Sequence, residues 1–416
     1  MKKTYLLAIL LFINIISFGQ FKIEGEMRPR LEFRDGYKNL VPIGANSVFL
    51  VSQRTRFGVS YQTKLYTTQI TFQDVRVWGE EQINTNKLNV GLHEAWVEFN
   101  AGSSIKIKIG RQILKYDNER LISSINWNQV GAKHDAIKVS YESTNWDLDL
   151  IGAFNQSGDI YFQSPYLLFN KQYKNLGILW LSRKTKKFTF SNLTIIEGLR
   201  KDNVGVQINT RITTGLISKA KLEKTNVDSR FFYQTGKNQS GNKVNAYLAN
   251  CDINYHLNTE NSLLAGFELQ SGNRNPSIIE GSDKGFDVLY GGKHSLNGLM
   301  DYFGGAILIN GMGLDDIYLK YNVALSKKVG FNFDYHYFKT LKDFQFEGLN
   351  YSSYLGSEID LSCSITISPE INITNIFGMM IATNSMAVAK SSDIDTLKNG
   401  FYFVTMLTFK PVFFKN

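Results

Sequence analysis

The chain is poor in proline, cysteine and histidine, with 6, 2 and 5 of them in 416 residues. Each proline removes a ladder donor, so few prolines leave long stretches free to pair as strands. Cys251 and Cys363 lie far apart in strand-like runs. They read as packing residues or as one disulfide, and they fit no metal-ligand spacing. No cofactor or metal is therefore expected. None of His93, His134, His256, His294 and His336 sits in a nucleophile motif, and Gly-x-Ser-x-Gly does not occur. Catalysis by a nucleophile beside a base thus has no visible foundation, and the chain reads as no enzyme. After Gly19 no run of about 18 apolar residues occurs, which excludes a membrane-spanning helix. Charged residues at 20% and hydrophobic residues at 43% fit neither a disordered chain nor a helical membrane protein.

What is abundant is aromatic: 29 Phe and 21 Tyr, beside 34 Gly. That composition reads as all-β. Lys2 and Lys3 precede an apolar run from Tyr5 to Phe18, and Ser17 and Gly19 are small. Residues 1–19 are expected to be a secretory signal peptide, leaving 20–416 as the mature domain. The run is short for a membrane anchor, and no Cys follows it for lipidation. Loss of two Lys lowers the net charge from +9 to about +7. Such a balance points to anionic partners or anionic lipid headgroups, and nucleic acid is not expected behind a signal peptide.

The mature chain is a series of segments with period two. From Phe21 to Phe33 one parity carries Phe21, Ile23, Met27, Leu31 and Phe33, and the other Lys22, Glu24, Glu26, Arg28, Arg30 and Glu32. The segment is long and densely charged, as suits a strand with lipid on one side and water on the other. Ile317, Leu319, Tyr321, Val323 and Leu325 repeat the pattern. So do Leu355, Ile359, Leu361, Cys363, Ile365 and Ile367 against Glu358, Asp360, Ser362 and Ser364. The apolar parity changes near Phe72, which predicts a bulge there or a strand leaving the membrane. Strands are predicted to begin near 21, 48, 65, 87, 104, 132, 146, 172, 187, 203, 219, 243, 261, 313, 328, 355, 370 and 400. The stretch 303–310 reads as a strand or as loop. Connections alternate between short and long, apart from a short link near 200–202. A spanning sheet must close, because an unpaired backbone group in hydrocarbon costs several kcal/mol. The fold class is thus all-β: a closed antiparallel transmembrane β-barrel of about 18 strands, with short periplasmic turns and long external loops. A barrel of that width is expected to leave an aqueous lumen. Localisation follows as the bacterial outer membrane, with outer-membrane lipid as a partner. The aromatic end, Phe401 to Phe414, suits the closing strand and an interfacial girdle.

The candidate residues are basic. Arg28 and Arg30, Arg54 and Arg56, and Lys106 and Lys108 share the polar parity of their strands. Arg76, Arg111 and Arg120 lie near strand ends or in the following loop. One reading is an electropositive constriction for anions, since guanidinium binds carboxylate and phosphate bidentately. The other is a wall ladder in which these cations pair with Glu24, Glu26, Glu32, Asp74, Glu94 and Glu98. For the set together we favour selectivity.

The run GRQILKYDNERLISSINWNQVGAKHDAIKVSY, Gly110 to Tyr141, resembles the signature block of the alginate export family. Gly110-Arg111-Gln112, Tyr116-Asp117, Arg120-Leu121-Ile122, Trp127, Gly131 and Asp135-Ala136 match it. QRTRFGV at 53–59, QDVRVWG at 73–79, HEAWVEF at 93–99 and LYGGKHSLNGLMDYF at 289–303 look similar too. The sequence departs at Ala132-Lys133-His134, where an Arg and an aromatic are usual, and at Leu289-Tyr290-Gly291-Gly292, where a Pro is usual after Tyr. The resemblance implies an eighteen-stranded barrel with an arginine-rich lumen that passes an anionic polyuronate. The expectation is a porin-like channel for anionic solutes, oligosaccharide or polysaccharide. The alternatives are a plugged barrel whose loops, 273–312 above all, bind a ligand or partner, and an outer-membrane enzyme.

Overall fold

The computed structural model describes residues 19–84, 89–156, 158–159, 173–201, 207–273, 281–303, 311–390, 396–397 and 399–416. Most of the expected signal peptide and most of the stretch 303–310 lie outside them. Eighteen strands make one closed wall. They are β1 (Gln20–Asp35), β2 (Val48–Gln62), β3 (Tyr66–Val77), β4 (Gly91–Asn100), β5 (Ile105–Gln112) and β6 (His134–Glu142). Then come β7 (Trp146–Phe154), β8 (Asn175–Lys184), β9 (Phe188–Arg200), β10 (Ile208–Lys221), β11 (Thr225–Lys237) and β12 (Lys243–His256). The last six are β13 (Asn261–Gln270), β14 (Leu314–Ala324), β15 (Val329–Lys339), β16 (Tyr354–Ser368), β17 (Ile371–Ala382) and β18 (Asn399–Phe409). Neighbours pair antiparallel, and β1 pairs with both β2 and β18, which closes the sheet. Beyond Pro411, Val412–Lys415 pairs again with β1.

Period two now has a physical meaning. In β1, Arg28, Arg30 and Glu32 are buried inside, while Met27 and Phe33 are exposed outside. Around the wall Phe57, Ile70, Leu150, Leu216, Phe231, Ile253, Ile317, Leu361, Phe377 and Phe403 are exposed. Such a continuous apolar belt does not persist in water, and a bilayer is the solvent that suits it.

The ends with short turns, including Thr63–Leu65, Ser143–Asn145 and Leu222–Lys224, lie beside both termini, and we call them periplasmic. The external links are long except 201–207, which includes the short link expected, and 238–242, a second short one.

The differences from expectation are local. β4, β8, β10 and β11 begin three to six residues later than predicted. The predicted start at 219 falls inside β10, because that strand carries its polar residues Lys219 and Lys221 to the periplasmic mouth before turning. The irregularity near Phe72 is a bulge borne by the partner strand: Thr71 faces Glu94 and Phe72 faces Leu92, leaving His93 unpaired and turned inward. Leu355, expected on the lipid side, is buried inside. A register shift skips it, with Phe338 opposite Gly356 and Lys339 opposite Tyr354, and Gly356 takes φ +154°, a conformation that L residues avoid.

The largest correction concerns the lumen, which is not wholly aqueous. One apolar cluster joins Leu114, Leu121 and Ile122 to inward Ile151, Leu193, Ile195, Ile217, Phe232 and Leu248. A second joins Leu299, Met300 and Tyr302 to Phe338, Leu355, Met380, Tyr402 and the short helix α1 (Asn384–Ala389). Both are built on external loops that fold inward.

Candidate functional site

Two loops cross the lumen. L3 (residues 113–133) follows β5, and L7 (281–303) belongs to the connection between β13 and β14. L3 is tied down at every step. Tyr116 donates from its hydroxyl to Asp149 of β7 at 2.6 Å. Asp117 pairs with Arg230 of β11 and, at 2.9 Å, with Lys219 of β10. Arg120 reaches Glu268 of β13. At the far wall, Arg28 donates to the carbonyl of Asn126 at 2.8 Å and to Gln129 Oε1 at 3.0 Å. Arg30 donates to the Trp127 carbonyl at 2.8 Å, and Arg54 to Asn126 Oδ1 at 3.0 Å. Asp117, Glu119 and Ile125 sit at positive φ, so L3 is creased. The Glu119 carboxylate holds the crease by accepting from the Ser124 amide and from both Ser123 and Ser124 hydroxyls.

L7 uses opposite charge. The amides of Leu299 and Met300 donate to Asp360 (3.0 Å) and Glu358 (2.7 Å) of β16. Asp287 pairs with Arg211 at 2.9 Å, and Tyr290 donates to Glu197 at 2.8 Å. The loops also bind each other. The Ser123 amide donates to the Tyr290 carbonyl at 3.1 Å and the Gly292 amide to Glu119 O at 2.6 Å. The Trp127 and His294 rings stack at 3.8 Å with 3° between planes.

Between L3, L7 and the β1–β3 wall lies a cavity of about 1260 Å³. Its lining carries Arg34, Lys38, Arg76, Arg111, Lys133 and Lys293 against Glu80, Asp117, Glu119, Asp135 and Asp301. Four of those acids are already engaged: Asp117 by two cations, Glu119 by the serines, Asp135 by Arg111, and Asp301 by Tyr37 at 2.5 Å and His294 at 2.9 Å. Burial, then the guanidinium groups of Arg111 and Arg56, push the Lys133 ammonium below the ordinary lysine range. The smaller opposing pull of Asp135 does not restore it.

The predicted basic residues thus divide. Arg28, Arg30, Arg54 and Arg56 do share the inner wall of β1 and β2. Arg54 is fully buried against Glu26, and Arg56 donates to Gln73 at 2.7 Å. They hold L3, and Arg30 also borders the cavity. Lys106 pairs with Glu142 at 2.8 Å near the periplasmic end, and Lys108 with Glu98 at 3.5 Å beneath the Trp96 ring. Arg76 has the outward parity of Ile70 and Phe72 and donates to Asp74 at 2.7 Å. Arg111 is outward too, in a two-point pair with Asp135 (2.9 Å each); Gly110 before it, at φ +122°, approaches the Ala95 carbonyl too closely for a Cβ. Both border the cavity at the external end. Of the four signature-loop residues, Tyr116, Asp117 and Trp127 act within the crossing loop, and Asp135 clamps β6 to β5.

Sequence reasoning missed Tyr37, Lys133, Glu358 and Asp360 as site residues, and His294 and Asp301 received no role. The block at 289–303 contained the last two. Nothing local marked Glu358 and Asp360 beyond their polar parity.

A closed lipid-belted barrel, narrowed by loops over a polar cavity, defines an outer-membrane channel. Solved barrels agree in fold. OpdK from Pseudomonas aeruginosa superposes with a TM-score of 0.61 at 9% identity, covering 94% of this chain and 99% of that one. OccK3 (OpdO) from P. aeruginosa gives 0.62 at 12%, covering 95% and 96%. OccAB1 from Acinetobacter baumannii gives 0.65 at 11%, covering 95% and 97%. The chain belongs to the alginate export family, whose model matches residues 21–374. No curated protein matches it.

Proposed function

We propose that the channel passes anionic hydrophilic solutes, entering through the cavity between L3 and L7. The carrying observation is Lys133, half-buried beside two guanidinium groups at a cavity whose nearby acids are largely engaged. A site of that kind holds a positive potential that concentrates anions. Membership of the alginate export family supports an anionic cargo, and among the similar barrels OpdK has a structure with vanillate. A cavity of about 1260 Å³ suits a small anion or a short oligosaccharide. A long polysaccharide requires L3 and L7 to part. In planar bilayers under a KCl gradient, the reversal potential should report anion preference. Lys133→Glu with Lys38→Glu should lower the anion-to-cation permeability ratio by roughly three- to tenfold. Cation preference in the unaltered protein, or a ratio indifferent to both changes, contradicts the reading.

The packing of L3 and L7 favours a second reading, a barrel closed at rest whose loops bind a ligand or partner. Absence of conductance until L7 is released would select it.

A further inference from the structure

The L3–L7 junction contains a titratable ring. His294 of L7 stacks on Trp127 of L3, and its Nδ1 lies 2.9 Å from Asp301 Oδ1. Asp301 Oδ2 accepts from Tyr37 of the first external loop, and Tyr37 Oη accepts from the Trp127 indole at 3.4 Å. The Arg30 guanidinium of β1 lies 4.8 Å from the Trp127 ring centroid. One cluster therefore joins three loops and the wall beside the cavity.

We propose that His294 is a positioning residue for the constriction and makes it proton-sensitive: protonation tightens the L3–L7 junction and narrows the passage as pH falls. The channel class is all that the proposal requires; it does not depend on anion selectivity. Neutral imidazole already stacks on the indole. A proton on Nε2 adds charge to the contact with Asp301 and a cation–π attraction to Trp127. Histidine is the side chain whose charge ordinarily changes between pH 5 and 8. The tightened junction favours the proton, so falling pH favours tightening and rising pH releases it. Other charges face the ring. They are Asp301, Lys293 beside His294 in the chain, Lys38 near Asp301 and Arg30 near the indole. Asp301 is suited to its part. Although burial alone would raise its carboxyl, the bonds from His294 and Tyr37 and the Lys38 charge hold it below the ordinary aspartate range.

The test is single-channel recording of the refolded full chain from pH 8 to pH 5.5, with the reversal potential recorded in parallel. Mean conductance or open probability should fall about threefold in the unaltered protein. His294→Gln and Asp301→Asn should each flatten that profile, whatever the reversal potential reports about anions. Trp127 supplies a second readout. The tryptophan emission difference between the unaltered protein and Trp127→Phe should titrate over the same range and stop doing so in His294→Gln. A flat profile in the unaltered protein, or an undiminished one in His294→Gln, overturns the proposal. If a variant fails to fold, the unaltered emission difference still decides, since a pH-independent difference also overturns it.

Discussion

Replacing Gly291 with valine should raise single-channel conductance by roughly two- to fivefold, the direction expected when a packed constriction loosens inside a wide barrel. Gly291 lies where L7 meets L3. A Cβ there would stand 1.7 Å from the Arg120 carbonyl oxygen and 2.8 Å from the Val288 carbonyl oxygen. Both contacts are backbone, so no flexible side chain can yield, and the loops must separate. Separation breaks the bonds from Ser123 to Tyr290 and from Gly292 to Glu119. The wall strands carry none of those bonds. The variant should therefore keep its β-sheet circular dichroism and its resistance to unfolding in detergent. Unchanged conductance in a properly folded variant would mean that this contact does not set the pore.

A charge on the outer belt should act on the wall instead. Leu216 of β10 is two-thirds exposed toward lipid, while its neighbour Ile217 is buried within. Leu216→Arg should destabilise the barrel in liposomes by about 2–4 kcal/mol if the position lies near the bilayer midplane. The neighbouring Ile217→Ala should cost a similar amount for a different reason, the loss of packing inside the barrel. The two are separable by solvent. In detergent micelles that admit water, the arginine penalty should shrink and the packing penalty should remain. Urea titration of both variants in liposomes and in micelles measures this. An arginine tolerated in both would place Leu216 away from hydrocarbon.

The wall was legible in the sequence because its signal is local. Each residue of β1 alternates between two solvents, and a one-residue slip would turn Arg28 and Arg30 into lipid. Leu355 escaped that logic because a bulge moves one residue across the sheet without changing composition. The interior was harder to read. Nothing in Leu193, Ile195 or Phe232 says that the inner parity of β9 and β11 is apolar to receive a loop. The partner residues, Leu121 and Ile122, are more than seventy positions away from Leu193 and Ile195. The basic residues of β1 and β2 were visible as a set. Their role required knowing where Asn126, Trp127 and Gln129 return, and long-range placement of that kind is not encoded by spacing.

The central claim is that L3 and L7 lie inside the barrel and together set the passage. Hydrogen exchange of the refolded protein in micelles, read by mass spectrometry, tests it most directly. Peptides covering 119–127 and 296–302 should exchange as slowly as the strands that hold them, while the tip of the first external loop, 43–47, exchanges quickly. Free-chain exchange at the Leu299 and Met300 amides, with β16 still protected, would contradict the account.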